Sequence, residues 1–125
     1  MAYTSNYVEV LAEAGEYEAE IINADVRSTS NGKQFLNIAF KINDLNLVVY
    51  DKIWRDSIVP NEFNHKRVAE LLSALQITEE LADDFVLIKT IKNKRLTIVV
   101  TKEYNDKRQK DENSITEYKQ LELPF

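Results

Sequence analysis

Residues 48–54, VVYDKIW, combine aromatic and basic side chains at a spacing suited to binding a polyanion. Alternate side chains of an extended strand share a face, so Tyr50, Lys52 and Trp54 are expected on one surface, with Arg55 adjacent. Aromatic rings stack on unpaired bases for about 1–3 kcal/mol each, and interleaved cations hold the phosphates. The segment therefore predicts a surface that binds single-stranded nucleic acid.

Similar residue types recur at three other places along the chain. The strand at residues 35–42 has aromatic and basic residues on its outward face, and further basic residues flank the turn before it. The basic stretch at residues 94–110, which ends at Lys110, adds more. The predicted nucleic-acid contacts outside residues 48–55 are Arg27, Lys33, Phe35, Lys41, Lys94, Arg95, Lys102, Tyr104, Lys107 and Arg108. We expect the last two to lie in a polar loop long enough to fold over a bound strand.

Charge is strongly segregated along the sequence. The net charge is −5, and residues 1–26 carry six acids and neither Lys nor Arg. Residues 86–110 carry eight bases against two acids. A polyanion responds to the local field of a patch and not to the sum over the chain. The overall negative charge therefore leaves DNA binding open without establishing it.

Each of these signals also has a purely structural interpretation. A basic run is commonly a solvated surface, and an aromatic residue in a small barrel is often part of the core. We assign Tyr17, Phe40, Phe63 and Phe85 to the core. A protein-interaction or structural module that never binds nucleic acid stays open as the alternative.

Enzymatic and metal-dependent functions find little support in the sequence. The chain has one histidine, His65, and no cysteine, so thiolate metal sites and histidine-based triads lack their residues. No glycine-rich phosphate loop is present, and no spacing singles out one carboxylate pair. Asp83 and Asp84 fit a solvated helix end better than a metal site. We expect no catalytic residues, no metal and no cofactor.

The hydrophobic pattern predicts strands in the first part of the chain. Residues 15–26 alternate and then shift phase after Ile21, which indicates a β-bulge. Asn31-Gly32 predicts a hairpin turn because both residues tolerate positive φ. The next strand places Leu36, Ile38, Phe40 and Ile42 on one face, and a third strand follows the turn at residues 43–44.

A helix is expected within residues 61–77, followed by further strands. Val68, Leu71, Leu72 and Leu75 form one apolar stripe, and Asn64 is the predicted N-cap. Residues 77–85 could add a short helical turn opened by Thr78. Strands are then expected at residues 96–104 and 114–121. This order predicts a mainly β oligonucleotide-binding (OB) fold, a five-stranded Greek-key barrel with one α-helix between strands 3 and 4.

Length and composition bound the organisation of the chain. With 125 residues, we expect one domain at 1–120 and a short tail at 121–125. No apolar run approaches the roughly 20 residues that span a bilayer, and no signal peptide is recognisable. The absence of cysteine suits a reducing compartment, so we expect a cytoplasmic protein.

A family resemblance rests on several motifs taken in order. These are G-x-Y-x-x-x-I from Gly15, G-K-x-x-L-x-x-x-F from Gly32, Y-N-x-K from Tyr104 and N-x-I-x-x-Y from Asn113. From about Gly15 onward, the chain resembles the small single-stranded DNA-binding proteins of phages that infect Gram-positive bacteria such as lactococci and streptococci. The resemblance implies an OB fold, sequence-tolerant binding of single-stranded DNA in replication and recombination, no cofactor, and a homodimer.

The sequence LELPF at 121–125 resembles the acidic Pro-Phe tip through which bacterial single-stranded DNA-binding proteins hold partner enzymes. The resemblance implies that Glu122, Leu123, Pro124 and Phe125 bind host or phage recombinases or replication proteins. A phenyl ring can fill a pocket while the carboxylates meet Arg or Lys. The acidic cluster and flexible tether of the usual tip are missing, so packing of Leu123 and Phe125 on the barrel or on a second subunit stays open.

Overall fold

Five antiparallel strands and two helices follow one another in the computed structural model, which describes residues 10–57 and 62–121. The elements are β1 Gly15–Ser28, β2 Gln34–Ile42, β3 Leu47–Trp54, α1 His65–Ala74, α2 Asp84–Ile91, β4 Arg95–Asn105 and β5 Lys110–Lys119. The mainly β fold is therefore as predicted. The single predicted helix between strands 3 and 4 is replaced by two.

All five strands belong to one sheet, in the order β3-β2-β1-β4-β5. The long strand β1 pairs with β2 through its second part and with β4 through its first part, and Glu20 lies opposite both Lys41 and Arg95. The register shifts between Ile21 and Asn23, so the predicted bulge is confirmed. A bulge adds twist and bends the strand, so that one strand can pair with two neighbours.

The predicted closed barrel is not formed by backbone pairing. Within the described strands, no hydrogen-bonded ladder joins β3 to β5, so the sheet keeps two edges. Side chains instead bring these edges together. Asp51 of β3 accepts a hydrogen bond from the Tyr118 hydroxyl of β5, and Arg67 of α1 donates to Asp51 at 2.6 Å.

The core lies between the inward face of the sheet and the two helices. Leu36, Ile38, Phe40 and Ile42 are fully buried, as the alternation in β2 predicts. Further buried side chains come from the other strands, from both helices and from the segment between β3 and α1, among them Ile21, Ile53, Phe63, Leu71, Ile91, Leu96, Ile98 and Val100. Tyr17 packs against this core while partly exposed.

Assignment of Phe85 to the core is wrong, because its side chain is 73% exposed. The second helix explains the error. It begins at Asp84, later than the helical turn expected from Thr78, and its N-cap Asp83 accepts a hydrogen bond from the backbone N–H of Val86. In this helix Leu87 and Ile91 face the core, and Phe85 faces away from it.

The first helix follows its local sequence signals, and the turns follow theirs in part. Asn64 caps α1 by accepting from the N–H of Arg67, as predicted. Gly32 has φ of +85° in the turn between β1 and β2, whereas no positive φ occurs at Asn31. The expected long polar loop near residue 107 is instead a tight turn, with Gln109 at φ 53° and Lys110 already in β5.

None of the helices in residues 10–57 and 62–121 is long and apolar enough to cross a membrane. Within the same ranges, no group of three or more His, Cys, Asp or Glu side chains could hold a metal ion.

Candidate nucleic-acid interface

Strand register places seven of the predicted contacts on the outward face of the sheet. Directly opposed residues of antiparallel strands point to the same side. Arg27, Phe35 and Trp54 form one cross-strand row, and Lys41, Glu20 and Arg95 form another. The outward residues predicted from sequence are Arg27, Phe35, Lys41, Tyr50, Lys52, Trp54 and Arg95.

The aromatic residues of this face differ in exposure. Trp54 is 42% and Tyr50 58% exposed, whereas Phe35 is only 8% exposed. The Phe35 ring lies beneath Trp54, with ring centroids 4.9 Å apart, and Lys52 Nζ is 4.9 Å from its centroid. Trp54 and Tyr50 therefore present the open ring surfaces, and Phe35 supports Trp54.

A polar row that the sequence reasoning missed lies between the aromatic residues. Asp25, Asn37 and Lys52 are opposite one another on β1, β2 and β3. Asn37 is buried, and Asp25 Oδ2 accepts from Arg27 Nε at 3.0 Å. The other carboxylate oxygen, Asp25 Oδ1, is buried without a hydrogen-bond partner in the structure. The ion pair holds the Arg27 side chain beside the Phe35–Trp54 pair.

Acidic residues interrupt the basic character of the face on its β1–β4 side. Arg95 Nη1 lies 3.6 Å from Glu18 and Arg95 Nε 3.5 Å from Glu20. Glu16 pairs with Lys119 of β5. The outward face is therefore aromatic and basic over β2 and β3, and mixed in charge with many carboxylates over β1, β4 and β5.

A cleft between β3 and the start of β5 brings the two predicted basic regions together. It has a volume of about 400 Å³ and is lined by Tyr50 and Lys52 on one side and by Arg108, Lys110 and Glu112 on the other. Arg108 lies far from β3 in sequence, yet the proximity of the two sheet edges brings it into the same cleft as Tyr50. The cleft can hold a polyanion between the side chains of Lys52, Arg108 and Lys110.

Glu112 tempers the positive charge of this cleft. Its carboxylate accepts hydrogen bonds from Asn105 Nδ2 at 3.1 Å and from Arg108 Nη1 at 3.0 Å. The hydrogen bond from Asn105, followed by the charge of Arg108, lowers the pKa of Glu112 below its ordinary value. Glu112 therefore remains ionised beside Arg108 at neutral pH.

The structure does not bring Arg55, Lys102 and Tyr104 to the outward face. Arg55 lies one residue beyond Trp54, so its side chain points to the other side of the sheet. There its guanidinium lies 4.0 Å from the Phe63 ring centroid and donates to Asp84 at 3.0 Å. Arg55 is thus tied into the structure that connects β3 to α2.

Lys102 and Tyr104 share the side of β4 that carries the buried residue Val100. Lys102 Nζ donates to Glu13 at 3.0 Å, and Tyr104 is 60% exposed. The remaining predicted contacts, Lys33, Lys94 and Lys107, are exposed at turns. The predicted partner contacts Glu122, Leu123, Pro124 and Phe125 lie outside the described residues and stay a prediction.

Comparison with known proteins identifies the family of this chain. A family model described as a protein of unknown function (DUF669) matches residues 3–123. No curated protein matches the sequence. Since the family description states no activity, the resemblance to phage single-stranded DNA-binding proteins is neither strengthened nor weakened. With nearly its whole length matched, the chain belongs to the DUF669 family.

Proposed function

We propose that this chain is a sequence-tolerant single-stranded DNA-binding protein that acts in phage DNA replication or recombination. The observation that carries the proposal is the outward surface of β3, where Tyr50 and Trp54 are exposed with Lys52 between them. The adjoining cleft adds Arg108 and Lys110. The resemblance in sequence supports the same function and a homodimer.

Strand order supports an OB-type barrel that is partly open. In the OB fold, a bent first strand is shared between two neighbours, and a helical connection joins strands 3 and 4. Here β1 pairs with both β2 and β4, and α1 and α2 lie between β3 and β4. The hydrogen bond between Tyr118 and Asp51 draws the two free edges together where a ladder is missing.

The spacing of the rings suggests how a strand would bind. At about 3.3 Å per residue, Tyr50 and Trp54 are separated by about 13 Å along β3, so they stack on different bases. Lys52, halfway between them, is placed for the intervening phosphate. Stacking accepts any base, since every base has a π-face, and this supports binding without sequence preference.

The proposal is tested with fluorescence anisotropy of a labelled oligo-dT at low salt. We expect Tyr50→Ala to weaken binding about tenfold, in the range measured for loss of one stacked base. Phe85→Ala is the matched control, because it removes another exposed aromatic ring that lies on α2. Quenching of Trp54, the single tryptophan, reports stacking directly.

Two results would overturn the proposal. One is equal affinity of Tyr50→Ala, Phe85→Ala and the unaltered protein for oligo-dT. The other is binding of double-stranded DNA at least as tightly as the single strand, because a paired base offers no open face to Tyr50.

A protein-interaction module is the second candidate, and the acidic half of the outward face favours it. Glu16, Glu18 and Glu20 alternate along β1, opposite β4, and would repel a polynucleotide that followed the sheet in that direction. This candidate predicts no shift of oligo-dT anisotropy even at low salt, so the same titration separates the two functions.

A further inference from the structure

A groove on the helical side of the molecule is separate from the surface proposed for DNA. It has a volume of about 780 Å³ and runs between α1, residues 79–82 and the start of α2. Val68 and Leu72 of α1, Leu81 of the connection and Leu87 of α2 form its apolar lining. These side chains are continuous with the core, so the groove has a firm apolar floor.

Phe85 extends this apolar surface out to solvent. Its ring is 73% exposed and lines the groove. The position is well defined, because Asp83 caps α2 by accepting from the N–H of Val86 at 2.9 Å. An exposed phenyl ring on a capped helix, beside an apolar groove, is typical of an interaction surface.

The rim of the groove is acidic. Five carboxylates line it, from Glu62, Glu79, Glu80, Asp83 and Asp84, and no Lys or Arg is among the described lining residues. Asp84 is paired with Arg55, and Glu62 is paired with His65. Glu79 and Glu80 are exposed, and they therefore dominate the charge that an approaching partner meets.

We propose that this groove binds a basic amphipathic helix of a partner protein. The apolar face of such a helix fits the floor and the Phe85 ring, while its Lys and Arg side chains meet the acidic rim. The same rim repels nucleic acid, so the groove can be occupied while DNA is bound elsewhere. The proposal goes beyond DNA binding and does not depend on it.

The test uses a fluorescein-labelled peptide of Leu and Lys, about 14 residues long and thus about four helical turns. Its leucines are spaced to form one face, and a second peptide of the same composition has them scattered. We expect the full-length protein to bind the amphipathic peptide about tenfold more tightly than the scattered one. We expect Phe85→Ala to bind the amphipathic peptide about tenfold more weakly than the unaltered protein, as for loss of a central contact. The double variant Glu79→Lys with Glu80→Lys should also bind it about tenfold more weakly.

Matched controls separate the groove from general attraction to an acidic protein. Glu103→Lys with Glu117→Lys makes the same change in net charge on the outward face, away from the groove, and should leave peptide affinity unchanged. Oligo-dT binding of Phe85→Ala should also be unchanged, so this result stands apart from the test of the proposed function.

Three outcomes would contradict the groove proposal. The two peptides could bind equally well, or the two double charge reversals could weaken binding equally, which would indicate charge attraction alone. A change in the sedimentation coefficient of the protein alone on Phe85→Ala would identify the groove as a contact between copies of this chain.

Discussion

At the residue scale, the proposed function makes Glu112 a competitor of DNA phosphate for Arg108. The Glu112 carboxylate holds Arg108 in the cleft beside Tyr50, at 3.0 Å. A phosphate that enters the cleft must displace this carboxylate or share Arg108 with it. Charge-assisted pairs of this kind are exchanged readily at an exposed site because water screens them.

We expect Glu112→Gln to tighten oligo-dT binding several-fold at pH 7, because Arg108 is then available to phosphate. Anisotropy titration measures the change. The matched control is Glu103→Gln, which removes the same charge from the residue opposite Glu112 in the β4–β5 ladder. Equal tightening by both variants would show that only the overall charge matters.

Acidification should mimic Glu112→Gln only at low pH. Because folding lowers the pKa of Glu112, its charged contacts contribute stability above its ordinary value of about 4.5. That contribution is lost as the pH falls through the still lower folded pKa. The effect of Glu112→Gln on oligo-dT affinity should therefore be the same at pH 5 as at pH 7.

At the scale of the elements, one side-chain network joins β3, α1 and β5. Arg67 of α1 donates to Asp51 of β3 at 2.6 Å, and its guanidinium lies 4.4 Å from the Tyr118 ring centroid of β5. The Tyr118 hydroxyl donates to the same carboxylate. Burial, followed by the charge of Asp51, raises the pKa of Tyr118 well above its ordinary value. The network takes the place of the backbone ladder that β3 and β5 lack.

Asp51→Ala should destabilise the fold by about 2–3 kcal/mol, because it leaves Arg67 partly buried without its main anion. Urea unfolding measures the change. The control, Glu70→Ala, removes the more exposed partner of Arg67 at 3.4 Å and should cost about 0.5 kcal/mol or less. If Asp51→Ala were no worse than Glu70→Ala, the network would not hold the sheet edges together.

The raised pKa of Tyr118 predicts the direction in which the stability of the fold changes at alkaline pH. Above about pH 10 the unfolded chain loses the phenol proton while the folded protein keeps it, so this contribution to stability falls as pH rises. In Tyr118→Phe, which has no phenol proton to lose, the stability of the fold should decrease less above pH 10.

At the scale of the whole molecule, charge opposes the proposed DNA binding except on the outward face of β2 and β3 and in the adjoining cleft. The chain carries a net charge of −5, and Glu16, Glu18 and Glu20 line the neighbouring part of the sheet. Lys41 and Lys52 belong to the favourable region. A bound strand is therefore expected to follow the outward face of β3, beside β2, and to continue into the cleft, away from the acidic part of β1.

Lys41→Ala with Lys52→Ala should reduce the salt dependence of oligo-dT binding. Each phosphate contact to a single strand contributes about 0.7 to the slope of log K against log salt, so the double variant should lower its magnitude by about 1.4. Lys66→Ala with Lys89→Ala removes two charges from the helices and serves as the control. An unchanged slope in the first double variant would place the DNA elsewhere.

Local signals in the sequence predicted a large part of the structure. Alternation along β2 predicted its two faces, the phase shift after Ile21 predicted the bulge, and Asn64 was confirmed as the N-cap of α1. The second helix was missed because its residues include Val, Ile and Thr, which favour strands as readily as helices. Capping by Asp83 and burial of Leu87 and Ile91 decide in favour of the helix.

By itself, the sequence determined which side chains alternate, where the chain turns and which residues of β3 share a face, because these properties depend on neighbours within a few positions. Only the tertiary structure decided that Phe35 lies beneath Trp54, that Arg55 points towards α2 and that Arg108 reaches the cleft beside Tyr50. Exposure and pairing of these groups depend on residues far away in the chain. No local pattern contains that information until the sheet brings the partners together.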